Sequence, residues 1–160
     1  MIRIKIIALG KLKDKYLQDA ASEYLKRLSA YAKMEIIEIT PVRLPENPSQ
    51  AEISKALDTE AEMIIKKLSS KDYVTALCIE GKQPSSEQLS AEILTHINGG
   101  DGSLVYIIGS SYGLSDKIKR KADEKLSFGK MTFAHQLFRI MLLEQLYRSF
   151  KIYEGSKYHK

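Results

Sequence analysis

Apolar residues crowd into short blocks at positions 2–9, 34–39, 73–79 and 103–108, and between these blocks they recur every three or four residues. Dense blocks of four to eight residues predict strands buried in a sheet, and the wider spacing predicts helices lying on that sheet. A first helix is predicted over about 14–31, with Leu17, Ala20, Ala21, Tyr24 and Leu28 along one face. Pro41, Pro45 and Pro48 then exclude regular structure from the following loop. Ser49 caps a second helix whose expected stripe is Ile53, Leu57, Ala61, Ile64 and Leu68. Ser85 and Gln88 have capping-box spacing and open a third helix, which the Gly99-Gly100 pair ends. Strands alternate with helices throughout, so the expected class is α/β, with a mainly parallel sheet flanked by helices. No repeat or linker divides residues 1–160, and one domain is expected.

The last third carries the densest chemistry. Its strand at 103–108 breaks at Gly-Ser-Ser-Tyr-Gly, positions 109–113; Ser115 and Asp116 then begin a short basic helix. A brief strand at 126–128 breaks again at Gly129. Thr132 is the expected cap of a final helix reaching about Ile152, with Leu137, Ile140, Met141, Leu143, Tyr147 and Phe150 as its buried stripe. Two strand ends thus deliver pliable backbone to the start of one helix, and open α/β sheets bind small ligands beyond strand carboxyl ends. The 109–113 turn matches neither the dinucleotide fingerprint nor a P-loop. Leu142, Leu146 and Phe150 add more apolar surface to the last helix than one core needs, which suggests a partner subunit.

Composition narrows the classes. With 160 residues, 44% hydrophobic and 28% charged, the chain can build a core without metal or disulfide. Its single cysteine, Cys78, lies inside an apolar block and excludes an internal disulfide. No apolar run has membrane-spanning length and the start lacks the features of a secretory signal, so a cytoplasmic location is expected. The net charge of +5 permits an anionic partner. Basic residues gather at Lys11, Lys13 and Lys15, across positions 117–121, and from Arg148 to Lys160; solvated faces and binding patches both fit. The absence of Trp disfavours a stacking platform for single-stranded nucleic acid. No nucleophile–base pair or metal-ligand spacing is present.

Several motifs in order then resemble a known family. They are Ile7-Ala-Leu-Gly-Lys-Leu-Lys13, Leu77-Cys-Ile-Glu-Gly-Lys82, Tyr106-Ile-Ile-Gly109, Leu126-Ser-Phe-Gly-Lys-Met-Thr-Phe-Ala-His-Gln136 and the ending Tyr158-His-Lys160. Across its whole length the chain is similar to the small SPOUT-type methyltransferases of large-subunit ribosomal RNA. That resemblance implies a C-terminal trefoil knot over about 103–155, a homodimer, S-adenosylmethionine as methyl donor, and N3 of a pseudouridine in the assembled ribosome as acceptor. It implies no metal and no membrane. Carried over by position, the cofactor pocket falls on Leu77, Gly109, Phe128, Gly129, Lys130, Met131, Thr132 and Phe133. Two positions depart from the family pattern: Ser110 replaces a second glycine, and Ala134 replaces a proline before the histidine. A serine there is costly if the backbone needs positive φ.

The candidate catalytic residues are His159, Tyr158, Arg139 and His135. The resemblance implies that Tyr158 and His159 lie near the target base, with His159 the candidate base, directly or through water, and Tyr158 stacking on or orienting the target. Composition alone makes the same tail a frayed end. His135 is either a substrate contact or a capping or core residue. Arg139, one turn further on, is either a phosphate clamp or an ion-pair partner. Glu144 and Arg148, four apart, read as a helix-surface pair, and His96 as structural or exposed. The alternative function is a non-catalytic RNA-binding or ribosome-assembly factor on the same fold.

Overall fold

The computed structural model describes residues 1–100 and 102–160. Five strands make one all-parallel sheet: β1 (Ile2–Leu9), β2 (Ala32–Ile39), β3 (Tyr73–Lys82), β4 (Leu104–Ile108) and β5 (Glu124–Leu126), in the order β2-β1-β4-β3-β5. The helices are α1 (Lys15–Leu28), α2 (Gln50–Ile65), α3 (Ser86–Ile97), α4 (Asp116–Lys121) and α5 (His135–Tyr153). Every residue of β4 is buried, because helices cover both faces of the sheet. Leu104, Tyr106 and Ile108 point into one core with Leu142, Leu143 and Leu146 of α5, while Val105 and Ile107 meet Ala61 and Ile64 of α2 on the other side. That two-sided burial is why the strand sequence is continuously apolar instead of alternating.

The predicted Ser85 capping box forms, and the predicted Ser49 cap forms a box as well. Ser49 exchanges side-chain and backbone hydrogen bonds with Glu52, and Ser85 does the same with Gln88. Elsewhere tertiary packing moved what spacing predicted. α5 starts at His135 behind Ala134, so Thr132 is not its cap. The strand predicted at 126–128 lies at Glu124–Leu126. On α2 the fully buried positions are Ala56, Glu60, Ala61 and Ile64, whereas Ile53 and Leu57 are only half covered.

The buried face of α5 is Arg139, Leu142, Leu143, Leu146, Ser149 and Phe150, and Leu137, expected inside, is exposed. The helix carries apolar residues on all sides, so its pattern could not say which face turns inward. Leu142 and Leu146 are completely buried and Phe150 stacks on Tyr31, so these three residues serve the chain's own core and leave no surplus for a partner. α5 lies against α3 where small residues allow it, with the Ser90 hydroxyl donating to Ser149 O at 2.7 Å.

β3 runs past its expected end through Glu80-Gly81-Lys82. Its regular pairing with β5 stops at Leu77, the chain bulges, and Lys82 pairs again with Leu126. Gly81 is required at this crossing, because a Cβ there would sit 2.6 Å from the backbone of Leu126. Ser127 N–H donates to Lys82 O at 2.7 Å and locks the two segments together.

Candidate active site

At the carboxyl edge of the sheet the ends of β3, β4 and β5 and the start of α5 enclose a groove of about 700 Å³. A volume between roughly 300 and 1,000 Å³ is usual for a small-ligand site. The β4 wall is a tight turn in which Gly113 N–H donates to Ser110 O at 2.9 Å. A Cβ on Gly109 would fall 2.4 Å from Gly113 O, so only glycine lets the turn close. Gly113 itself has φ +87°, and no residue other than glycine has positive φ among the described residues. Ser110 is therefore accommodated without backbone strain.

The β5 wall turns at Gly129 (φ +125°), where the Ser127 hydroxyl donates to Gly129 O and accepts from its N–H, both at 3.1 Å. Phe128 packs on Phe138 with centroids 4.7 Å apart and gives this wall an aromatic face. The β3 wall supplies Leu77, Cys78, Ile79 and Glu80, with Glu80 held by Lys119 at 2.6 Å. Burial pushes the Cys78 thiol pKa up, so the half-buried thiol stays protonated.

Seven of the eight expected cofactor residues line this groove: Leu77, Gly109, Phe128, Gly129, Met131, Thr132 and Phe133. Lys130 is exposed and lies outside the lining. His135 lies at the groove; its pKa is lowered by burial first, then by the charges of Arg139 and Lys13, so the neutral ring is favoured. Arg139 is 6% exposed, donating to Glu38 Oε2 at 2.7 Å and to Gly10 O at 2.9 Å. Of its two sequence roles the ion pair is the one the side-chain contacts show. His96 packs on Tyr73 at 4.1 Å and lines the depression at the opposite edge of the sheet, not this groove.

The tail is docked, not frayed. Tyr158 donates to Glu144 Oε1 at 3.1 Å, meets Tyr147 edge-on at 5.1 Å and lies under the Arg148 guanidinium. Burial first, then its neighbours Tyr24 and Glu144, raise the phenol pKa and keep it neutral. Arg148 can only donate, so His159 Nδ1 accepts from it at 3.2 Å and Nε2–H donates to Glu87 Oε1 at 2.7 Å. That bond draws the Glu87 pKa down to about 2. Glu144 and Arg148 form the expected helix pair. Neither Tyr158 nor His159 lines the groove of its own chain.

Spacing did not single out Cys78, Glu80, Lys119 or Phe138. The first two sit at a strand's carboxyl end, a place sequence can flag, whereas Lys119 and Phe138 reach the groove only through helix packing. A larger depression of about 1060 Å³ lies at the opposite edge, among Lys5, Lys33, Asp72 and Tyr73. Parallel sheets place their ligands at the carboxyl edge, which favours the groove over this depression.

The sequence model described as "Predicted SPOUT methyltransferase" matches residues 2–159. The chain belongs to the SPOUT methyltransferases. A Streptococcus uberis protein named ribosomal RNA large subunit methyltransferase H is 50% identical over 159 residues, covering 99% of this chain and 100% of that protein. A Streptococcus thermophilus protein of the same name is 48% identical with the same coverage. The crystal structure of a probable methyltransferase from Bordetella pertussis Tohama I, 14% identical, superposes with a TM-score of 0.62 over 92% of this chain and 94% of that one, a likeness of fold alone. In this SPOUT methyltransferase no group of three or more His, Cys, Asp or Glu among the described residues is placed to hold a metal. Among them, too, no helix is long and apolar enough to cross a membrane.

Proposed function

We propose that this chain transfers the methyl group of S-adenosylmethionine to N3 of a pseudouridine in large-subunit ribosomal RNA, acting in the cytoplasm, as a homodimer, on the assembled ribosome. The single observation that carries this is the convergence of three strand ends on one groove walled by Leu77, Phe128 and Phe138 and closed by two glycine turns. Such a slot suits adenosine, whose flat apolar face needs aliphatic and aromatic walls and whose polar edges need nearby backbone. The relatives' name points to large-subunit ribosomal RNA as substrate. The knot over about 103–155 and the single domain of 1–160 belong to the same proposal.

The bound sulfonium would supply an already activated methyl group, so the protein's task is alignment and removal of one proton. This chain's residues would hold the N3 imide against that methyl group and take up the proton the imide gives up. A placed base contributes about 10²–10⁴-fold. His135, neutral beside the groove, and His159 can each accept that proton. His159 must first release Arg148, which occupies its Nδ1 lone pair. Because the tail does not line its own groove, Tyr158 and His159 are assigned to the groove of a second copy. Exposed Ile79, Tyr112 and Met131 line the groove and offer apolar surface for that contact.

A net charge of +5 is small for gripping naked RNA, whose binding scales with the phosphates neutralised. A folded ribosomal surface, read by shape, is therefore the better substrate. Calorimetry with S-adenosylmethionine and mass spectrometry of ribosomal RNA from a strain lacking the protein test the proposal. Binding together with loss of one methylated pseudouridine is expected. An unchanged modification pattern, or comparable rates on a short synthetic hairpin, contradicts it.

A further inference from the structure

The side chains that bring formal charge to the groove wall form a single pair. Glu80 of β3 meets Lys119 of α4 at 2.6 Å, and the other lining residues are apolar, glycine, hydroxyl-bearing, the Cys78 thiol or the neutral His135. Regular pairing of β3 with β5 stops at Leu77, and Cys78, Ile79 and Glu80 continue along the groove. Three residues of extended chain cover about 10 Å, so the charged pair stands well apart from the apolar wall at Leu77 while facing the same space. α4 is fixed beneath it. Ile118 is buried, and the Ser115 hydroxyl accepts from Lys117 N–H at 3.1 Å and donates to Asp58 Oδ1 at 2.6 Å. The bond with Lys119 holds the Glu80 pKa below its usual value. Burial opposes the charge on Lys119, yet the same bond keeps its pKa raised, so both groups stay charged. An ion pair as open to water as this one adds little to stability.

We propose that Glu80 and Lys119 form the subsite for the amino-acid head of the methyl donor, the carboxylate of Glu80 taking its ammonium and the ammonium of Lys119 its carboxylate. This rests on the groove being the S-adenosylmethionine site. The donor set fits that group. A nucleoside suits the walls at Leu77, Phe128 and Phe138, and a zwitterion suits an acid and a base held side by side. Lys119 has three N–H donors and gives one to Glu80, and a carboxylate has acceptor sites to spare, so each can take a ligand group without releasing the other. An RNA phosphate fits poorly here. It would meet a lysine already neutralised and a carboxylate of its own sign.

The test is calorimetry on the full chain with two thioethers that differ only in the head: S-adenosylhomocysteine, which carries it, and methylthioadenosine, in which a methyl group stands in its place. Wild type is expected to bind the first at least about tenfold more tightly, the scale of one hydrogen bond to a charged group. Glu80→Gln and Lys119→Met are each expected to remove about that factor for S-adenosylhomocysteine and to leave methylthioadenosine affinity unchanged. Glu80→Lys/Lys119→Glu keeps an ion pair with its polarity reversed, and is expected to bind S-adenosylhomocysteine no better than the single variants. Equal wild-type affinities for the two ligands overturn the proposal. So do variants that weaken both ligands alike or neither, and full recovery in the exchanged pair, which would make the pair merely structural. A wild-type chain that binds neither ligand overturns the cofactor reading of the groove itself, and this assignment falls with it.

Discussion

Replacing Arg139 by methionine separates the two roles its position allowed. The guanidinium is fully engaged, by Glu38 Oε2 at 2.7 Å and Gly10 O at 2.9 Å, and its side chain is 7% exposed against 35% for Glu38. Removing it leaves Gly10 O without that donor, a loss of about 1–2 kcal/mol. It also leaves a carboxylate that water can still reach, so the penalty for an abandoned charge falls below the ~3–5 kcal/mol typical of buried pairs. The net expectation is a destabilisation of about 2–3 kcal/mol, or about 5–10 °C in Tm for a chain of this size. Glu38→Ala is expected to cost more, because it strands a cation that water cannot reach, and the double variant to cost less than the sum. Urea unfolding of the three proteins measures this. The same change removes a like charge from His135, whose pKa is expected to rise, as read by NMR titration of the ring. A loss below about 0.5 kcal/mol with an unmoved His135 would refute the ion-pair assignment and return Arg139 to the candidates for RNA contact.

Glycine substitutions give a second prediction: Gly81→Ala drives a Cβ to 2.6 Å from the β5 backbone and Gly109→Ala to 2.4 Å from Gly113 O. Each should cost about 1–3 kcal/mol in chemical denaturation, and only Gly109→Ala should also weaken S-adenosylmethionine binding measured on the folded protein; equal affinity loss in both would contradict the placement of the groove. Stability should carry two opposed pH terms. His135, with its folded pKa below 6.5, stabilises above its unfolded value and loses that contribution as pH falls through the folded one. Glu60, raised above 4.5, contributes fully below its unfolded value and loses it as pH rises through the folded one. Melting curves of Glu60→Gln and His135→Gln from pH 4 to 8 should lose one trend each, and unchanged profiles would count against both assignments. Truncation after Glu154 removes the contacts of Tyr158 and His159 with Glu144, Arg148 and Glu87. It should cost no more than about 1–2 kcal/mol, preserve cofactor binding and abolish methylation; a fully active truncated protein would exclude the tail from the reaction.

The alternation of strands and helices was legible because burial on both faces forces β4 to be continuously apolar, and the Ser49 cap and the Ser85 box because a cap is a local hydrogen-bond exchange. The turns at Gly109 and Gly129 were legible too, since glycine marks backbone that a side chain would obstruct. What escaped depended on which surfaces meet. Apolar residues surround α5, so only its docking between α1 and α3 decides that Leu142, Leu146 and Phe150 lie inside and Leu137 outside. Glu60 reads as a surface residue until α2 turns it inward, where it accepts from Val42 N–H. Likewise Arg139 and His159 have residue types suited to catalysis, and only their partners show one locked to Glu38 and the other shared between Arg148 and Glu87. By itself the sequence determined the elements, their order and the pliable turns, because those follow from local sterics and periodicity. The tertiary structure decided which side chains share a space, because that depends on contacts between residues as far apart as Gly10 and Arg139, and no local pattern encodes such distances.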